Sequence, residues 1–150
     1  MSDAVLFLSV SNSCRGQMAE ALLRRHAPGR FEVHSAGLHP AEIHRLTYHV
    51  MNELGMDLSG HRPKGVREFF RTNFSPRFAI ILGEEGEPDC PKLFPGALQV
   101  LRWPFEDPGR AVGNEAELLE VFRRVRDGID QRIRQWLKQA EPPQSESPPS

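Results

Sequence analysis

The chain has 150 residues, a formal charge of -1 and 26% charged residues, which suits one domain with a sizeable core and excludes the broad basic face that nucleic acid or an anionic membrane would require. Two cysteines, Cys14 and Cys90, are too few for a secreted disulfide framework, and no basic and apolar leader opens the chain, so a reducing cytoplasm is expected. Apolar runs of about five residues fall well short of the roughly 20 that a membrane-spanning helix needs.

Ala4 to Leu8 reads as a short strand buried on both faces, as in a parallel sheet. It gives way to Ser9-Val10-Ser11-Asn12-Ser13-Cys14-Arg15, after which Met18, Ala21, Leu22 and Arg25 keep helical spacing until Ala27-Pro28-Gly29 breaks it. Strand, tight loop and helix together aim loop amides and the positive helix end at one small volume, an anion site. Arg15 adds a planar five-donor fork suited to a tetrahedral oxyanion. A plain turn without a ligand is the competing reading.

Phe31 to His34 is a second strand, leading into Ser35-Ala36-Gly37-Leu38-His39-Pro40, a loop by its turn residues. From Ala41 the chain reads as helix, with Leu46, Val50, Met51 and Leu54 on one face and Gly55 just past its end. Met56 to Lys64 is a loop, and Val66, Phe69 and Phe70 mark a short helix. Phe78 to Leu82 is the third strand, Gly83 to Pro95 a polar loop that carries Cys90, and Ala97 to Leu101 the fourth strand, followed by Trp103 to Gly109.

Asn114 would cap a last helix in which Leu118, Leu119, Phe122, Val125, Ile129, Ile133, Trp136 and Leu137 keep a 3.6-residue period, with Trp136 in the core. Arg123, Arg124, Arg126, Arg132 and Arg134 alternate with acids there and read as a solvated face. Residues 140–150, rich in Pro, Ser and Glu, are expected as a disordered tail behind a domain of residues 1–139.

Strands alternating with helices predict an α/β fold, a four-stranded parallel sheet with helices on both faces and ligands beyond the carboxyl ends of the strands. Cys90 and Asp107 would then approach the anion loop. The histidines are scattered, and His44 and His49 miss the i, i+4 zinc spacing, so no metal site is expected.

From Val5 to Leu137 the chain resembles the low-molecular-weight protein tyrosine phosphatases and the related thioredoxin-coupled arsenate reductases. The resemblance rests on Asn12-Ser13-Cys14-Arg15, Gln17-Met18-Ala19-Glu20, Ser35-Ala36-Gly37, Gly55-Met56-Asp57-Leu58-Ser59, Asp89-Cys90-Pro91 and Phe105-Glu106-Asp107-Pro108, and the reductase branch fits best. It implies a three-layer sandwich and an oxyanion loop formed by Val10, Ser11, Asn12, Ser13, Cys14 and Arg15. It also implies Asp107 as the acid that protonates a leaving oxygen. No cofactor is implied, and thioredoxin enters only as reductant if the chain is a reductase. The expected ligand is an inorganic oxyanion (phosphate, arsenate or sulfate) or a phosphorylated partner, with neither nucleic acid nor a membrane.

The resemblance breaks at the nucleophile. These proteins attack phosphorus or arsenic with a cysteine six residues before the loop arginine, and here that residue is Ser9. A loop of this kind lowers a cysteine pKa from about 8.5 to between about 3.5 and 7.5. A serine hydroxyl attacks only beside a general base, for which His34 and His39 are the candidates. The Ser that usually follows the loop arginine is Gly16.

The reductase relay is incomplete as well. It uses two cysteines about seven residues apart, of which only Cys90 is present, the other position falling near Leu82 or Gly83. The chain therefore reads as an oxyanion binder deficient in turnover. The alternative is an active reductase or phosphatase, with serine substituted for the loop cysteine or with another nucleophile such as Cys14, which otherwise reads as structural. Loss of the relay thiol along with the nucleophile favours a chain that lost catalysis over one given a serine to trap a ligand.

Asn12 is expected in a left-handed or hydrogen-bonded conformation that shapes the loop. Ser35 and Glu20 lie where some arsenate reductases hold a monovalent cation, potassium, and Lys64 would supply the charge instead. His61 and Arg62 face either substrate or solvent.

Overall fold

The computed structural model describes residues 3–140; of the tail expected at 140–150, Ala140 ends the last helix and residues 141–150 lie outside the described residues. Its elements are β1 (Asp3–Ser9), α1 (Arg15–His26), β2 (Phe31–Gly37), α2 (Arg45–Asn52), α3 (Arg67–Phe70), β3 (Phe78–Ile81), β4 (Gln99–Arg102), a 3-10 turn (Pro108–Arg110) and α4 (Glu115–Ala140).

The four strands are all parallel, in the order β2-β1-β3-β4. β1 and β3 are buried on both faces, as their unbroken apolar runs require. Val5, Phe7, Phe78, Ile80 and Trp103 meet α1, α2 and α4 on one face. Leu6, Leu8, Ala79 and Ile81 meet only α3 and the loops bearing Phe74 and Phe94 on the other. Helices thus lie on both faces, one layer thick and one thin.

Neighbouring β1 and β3 send their chains to opposite sides, to β2 and to β4, so the switch point lies between them. Here the crevice beyond the carboxyl ends opens.

Three expectations are corrected. Ser35-Ala36-Gly37 is strand rather than loop, pairing with Phe7, Leu8 and Ser9. The second helix begins at Arg45 rather than Ala41, because the backbone N–H groups of His39, Ala41 and His44 donate to the carbonyls of Val10, Ser11 and Ser13 and so are spent on the loop. Of the α4 arginines, Arg124, Arg132 and Arg134 are exposed, as a solvated face requires, but Arg126 is not. Arg126 is 8% exposed and donates to Glu53, Asp127 and Val50 O, Arg123 pairs with Glu53, Arg124 with Glu106, and Arg132 lies over Trp103. These contacts fasten α4 to α2 and to the segment before the 3-10 turn.

The cap at Asn114 forms as a reciprocal pair: its Oδ1 accepts from Glu117 N–H at 2.9 Å while Glu117 Oε1 accepts from Asn114 N–H at 2.9 Å. Among the described residues no helix is long and apolar enough to cross a membrane.

Candidate oxyanion site

The loop between β1 and α1 turns its carbonyls outward. Val10 O accepts from His39 N–H, Ser11 O from Ala41 N–H, Asn12 O from Gln17 Nε2, and Ser13 O from both His44 N–H and Thr47 Oγ1. In a trans peptide the N–H points opposite to the C=O, so the amides of Ser11, Asn12, Ser13 and Cys14 face inward. That of Asn12 reaches Ser9 Oγ at 3.2 Å, which places the serine at the base of the ring of amides. Four inward donors and the first turn of α1 make a concavity of positive potential.

Asn12 holds this shape. Its φ of 57° is left-handed, and its Oδ1 accepts from Gln17 Nε2 at 3.0 Å and from Lys64 N–H at 2.8 Å. Its Nδ2 is buried with no partner, and it faces Gly16, where the resemblance would have put a serine hydroxyl. β2 also has to be small here, since a Cβ on Gly37 would come within 2.7 Å of Val10 O and 2.8 Å of Asn12 N.

Arg15 is 2% exposed and its fork is engaged. Nη1 donates to Glu87 Oε1 at 2.8 Å and Nη2 to Glu87 Oε2 at 2.6 Å. Nη1 also donates to Phe105 O at 2.9 Å, and Asp107 Oδ2 lies 3.8 Å from Nη2. Burial alone would lower the guanidinium pKa, but bonding to Glu87 and the charge of Asp107 raise it. Burial likewise pushes the Glu87 carboxyl up, and its bonds to Arg15 outweigh that and hold it below the usual range. Asp107 Oδ1 is used locally, accepting from Gly109 N–H at 2.9 Å.

Two other expected residues take defined places. The Cys14 thiol is 3% exposed, and burial raises its pKa, so at neutral pH it is a protonated group packed near Thr47 and Gly109. Cys90 is half-buried against Gly83, also with a raised pKa, and Leu82, where a relay partner would fall, is fully buried core.

Of the imidazoles offered as bases, His34 pairs with Glu32 at 2.7 Å and packs on the rings of Phe69 and Phe74, while His39 is exposed with Asp89 3.6 Å away. His61 bonds Gln17 Oε1 and Arg62 grips Glu68, so both brace the loop's surroundings. Lys64 Nζ sits 3.3 Å from Glu20 Oε1, which also accepts from Ser35 Oγ at 2.5 Å. Among the described residues no cluster could hold a metal ion.

Sequence reasoning missed Glu87 and Thr47. Glu87 lies in an acidic run whose only signal is a glycine turn, Gly86, opposite a loop arginine.

An all-parallel α/β domain with an amide ring between strand and helix at its switch point defines a class of anion-loop proteins. Within that class, the family model for low molecular weight phosphotyrosine protein phosphatases matches residues 4–145, and the chain belongs to that family. It is 33% identical over 137 residues to an arsenate reductase of Shouchella clausii, covering 91% of this chain and 96% of that protein. Among solved structures, an arsenate reductase in its phosphate-binding state superposes with a TM-score of 0.75 at 29% identity, covering 94% of this chain and all of the other. The tyrosine phosphatase Wzb of Escherichia coli in complex with sulphate, 19% identical with a TM-score of 0.71 and covering 94% and 100% of the two chains, shares the fold.

Proposed function

We propose that this protein binds a tetrahedral oxyanion of the phosphate, arsenate and sulfate type and does not turn it over. The observation that carries the reading is the run of outward carbonyls from Val10 to Ser13, which leaves inward amides around Ser9. The similarity to an arsenate reductase in a phosphate-binding state supports the ligand class.

Chemistry supports the lack of turnover. Ser9 Oγ is hydrogen-bonded to an amide donor, which stabilises electron density on it but supplies no base to remove its proton. The one thiol in the loop, Cys14, is buried and protonated, and Leu82 leaves the redox relay with a single sulfur. Both cysteines are free, as a reducing cytoplasm would keep them.

Calorimetry with sulfate, phosphate and arsenate tests the binding. We expect dissociation constants near the millimolar range, about -4 kcal/mol, lost at least tenfold in Arg15→Lys, which keeps the charge and removes the fork. Aryl phosphate hydrolysis or thioredoxin-coupled arsenate reduction clearly above background, and abolished by Ser9→Ala, would overturn the reading.

A further inference from the structure

We propose that Glu87 is an autoinhibitory residue of the oxyanion site: its carboxylate is a tethered ligand of Arg15 that an incoming anion must displace. This rests on the oxyanion-binding reading above.

The geometry is that of a bound anion. Two parallel bonds of 2.8 and 2.6 Å join the Arg15 fork to both oxygens of Glu87, with side chains 2% and 7% exposed. This is the arrangement by which a guanidinium grips two oxygens of any oxyanion. Nη1 is also directed at the carbonyls of Phe105 and Leu82, so the edge facing Glu87 is the one open to exchange.

The segment carrying Glu87 is shaped to present it. Gly86 and Asp89 take positive φ values of 80° and 60° on either side, Glu87 N–H donates to Glu84 O, Cys90 N–H donates to Glu87 O, and Glu84 N–H donates to Glu87 Oε1 at 3.2 Å. Gly83 lies so close to the Cys90 sulfur that a side chain there would collide with it, which closes the turn. The result is a compact gate over Arg15 with the carboxylate at its tip.

A tethered ligand competes at an effective concentration on the order of millimolar. An incoming monoanion brings the same charge as Glu87 and gains nothing in Coulomb energy by replacing it, while a dianion brings twice the charge to the same guanidinium and amide ring. The acidic rim of Glu84, Glu85, Glu106 and Asp107, which with Arg110 lines a cavity of about 400 Å³ beside the gate, repels a dianion more than a monoanion, so the fork and the amide ring must outweigh it. The apparent dissociation constant is the intrinsic one divided by the fraction of molecules with the gate open.

The test uses sulfate, a dianion across neutral pH, and nitrate, a monoanion. In Glu87→Gln we expect sulfate and nitrate both to bind at least tenfold tighter than in the wild type, because opening the gate raises both affinities by the same factor. Because this variant leaves Arg15 partly unpaired, hydrogen exchange on the wild-type protein gives an independent readout. Saturating sulfate should protect the amides of Ser11 to Cys14 and speed exchange at Glu87 and Cys90.

Sulfate that protects the loop with no change at Glu87 and Cys90, or no gain for either anion in Glu87→Gln, overturns this inference and leaves the oxyanion reading standing. Absence of sulfate binding in both proteins overturns the two together.

Discussion

Lys64 Nζ lies 3.3 Å from Glu20 Oε1 while the backbone N–H of the same lysine holds Asn12 Oδ1 at 2.8 Å, so one residue joins a buried carboxylate to the anion loop. The Glu20 side chain is 5% exposed and is completed by Arg24 at 2.6 Å and Ser35 at 2.5 Å. The ammonium of Lys64 thus stands where the resemblance put a potassium ion.

Removing that ammonium should make the protein sensitive to potassium. Lys64→Ala leaves Glu20 with Arg24, Ser35 and, at 4.0 Å, the His61 imidazole, a loss of about 1–3 kcal/mol because one of several partners of a buried charge is gone. Thermal unfolding in potassium and in sodium chloride at equal ionic strength should show a higher Tm in potassium for the variant alone. Equal Tm values in the two salts would separate Lys64 from any cation site.

Gly16 should tolerate serine better than alanine. A Cβ there comes 2.7 Å from Asn12 Nδ2 and 3.3 Å from Ser9 Oγ, and the Asn12 side chain is pinned by Gln17 and Lys64, so either substitution strains the loop. We expect Gly16→Ala to lose about 1–3 kcal/mol in denaturant unfolding. Gly16→Ser should lose less, because its hydroxyl gives the unpartnered Asn12 Nδ2 an acceptor. Serine as costly as alanine would show that the amide gains nothing from the hydroxyl.

Much of this frame was legible in the sequence, and the parts that were not share a cause. The β1 run, its small polar ending and the helical spacing from Met18 state strand, loop and helix locally, and Asn12 is a residue type that tolerates a left-handed φ. Ser35-Ala36-Gly37 misled because small residues read as turn, whereas here they are small so that the anion loop can pack on β2. Residues 41–44 misled for a related reason: their donors are captured by the loop, a tertiary demand that helical periodicity does not register. Glu87 left no trace beyond the Gly86 turn, because a polar loop has no period and its partner Arg15 is 72 residues away.

Acid should weaken the anchoring of α4 through Glu53. This carboxyl is held at about 2, first by its hydrogen bonds to Arg123 and, against the opposing effect of burial, by Arg126 as well. A depressed folded-state pKa gives stability that is present above the unfolded value, about 4.3, and is lost as pH falls toward 2. Glu53→Gln should be less stable than wild type at pH 7 and lose less between pH 4.5 and 2, measured by denaturant midpoints. Parallel pH profiles for the two proteins would rule Glu53 out as a source of that slope.

Ser9→Cys asks whether the catalytic frame survives around the lost nucleophile. A thiol at this position takes the place of Ser9 Oγ as acceptor of the Asn12 N–H and lies under the inward amides of Ser11 to Cys14 at the start of α1. Those donors favour the thiolate, and the expected pKa is between about 3.5 and 7.5. Glu87 and Asp107 screen Arg15 and pull the value toward the upper end of that range. Cys14, pushed up by burial, serves as an internal control that stays unreactive at neutral pH. Alkylation by iodoacetamide, followed site by site with mass spectrometry across pH, should give one fast thiol titrating below about 7.5. Aryl phosphate hydrolysis should appear in the same variant and fall by about 10²–10⁴ on adding Asp107→Asn, the usual size of a lost general acid. A reactive thiol without hydrolysis would mean that the amide ring persists while Asp107, tied to Gly109 N–H, no longer reaches a leaving group.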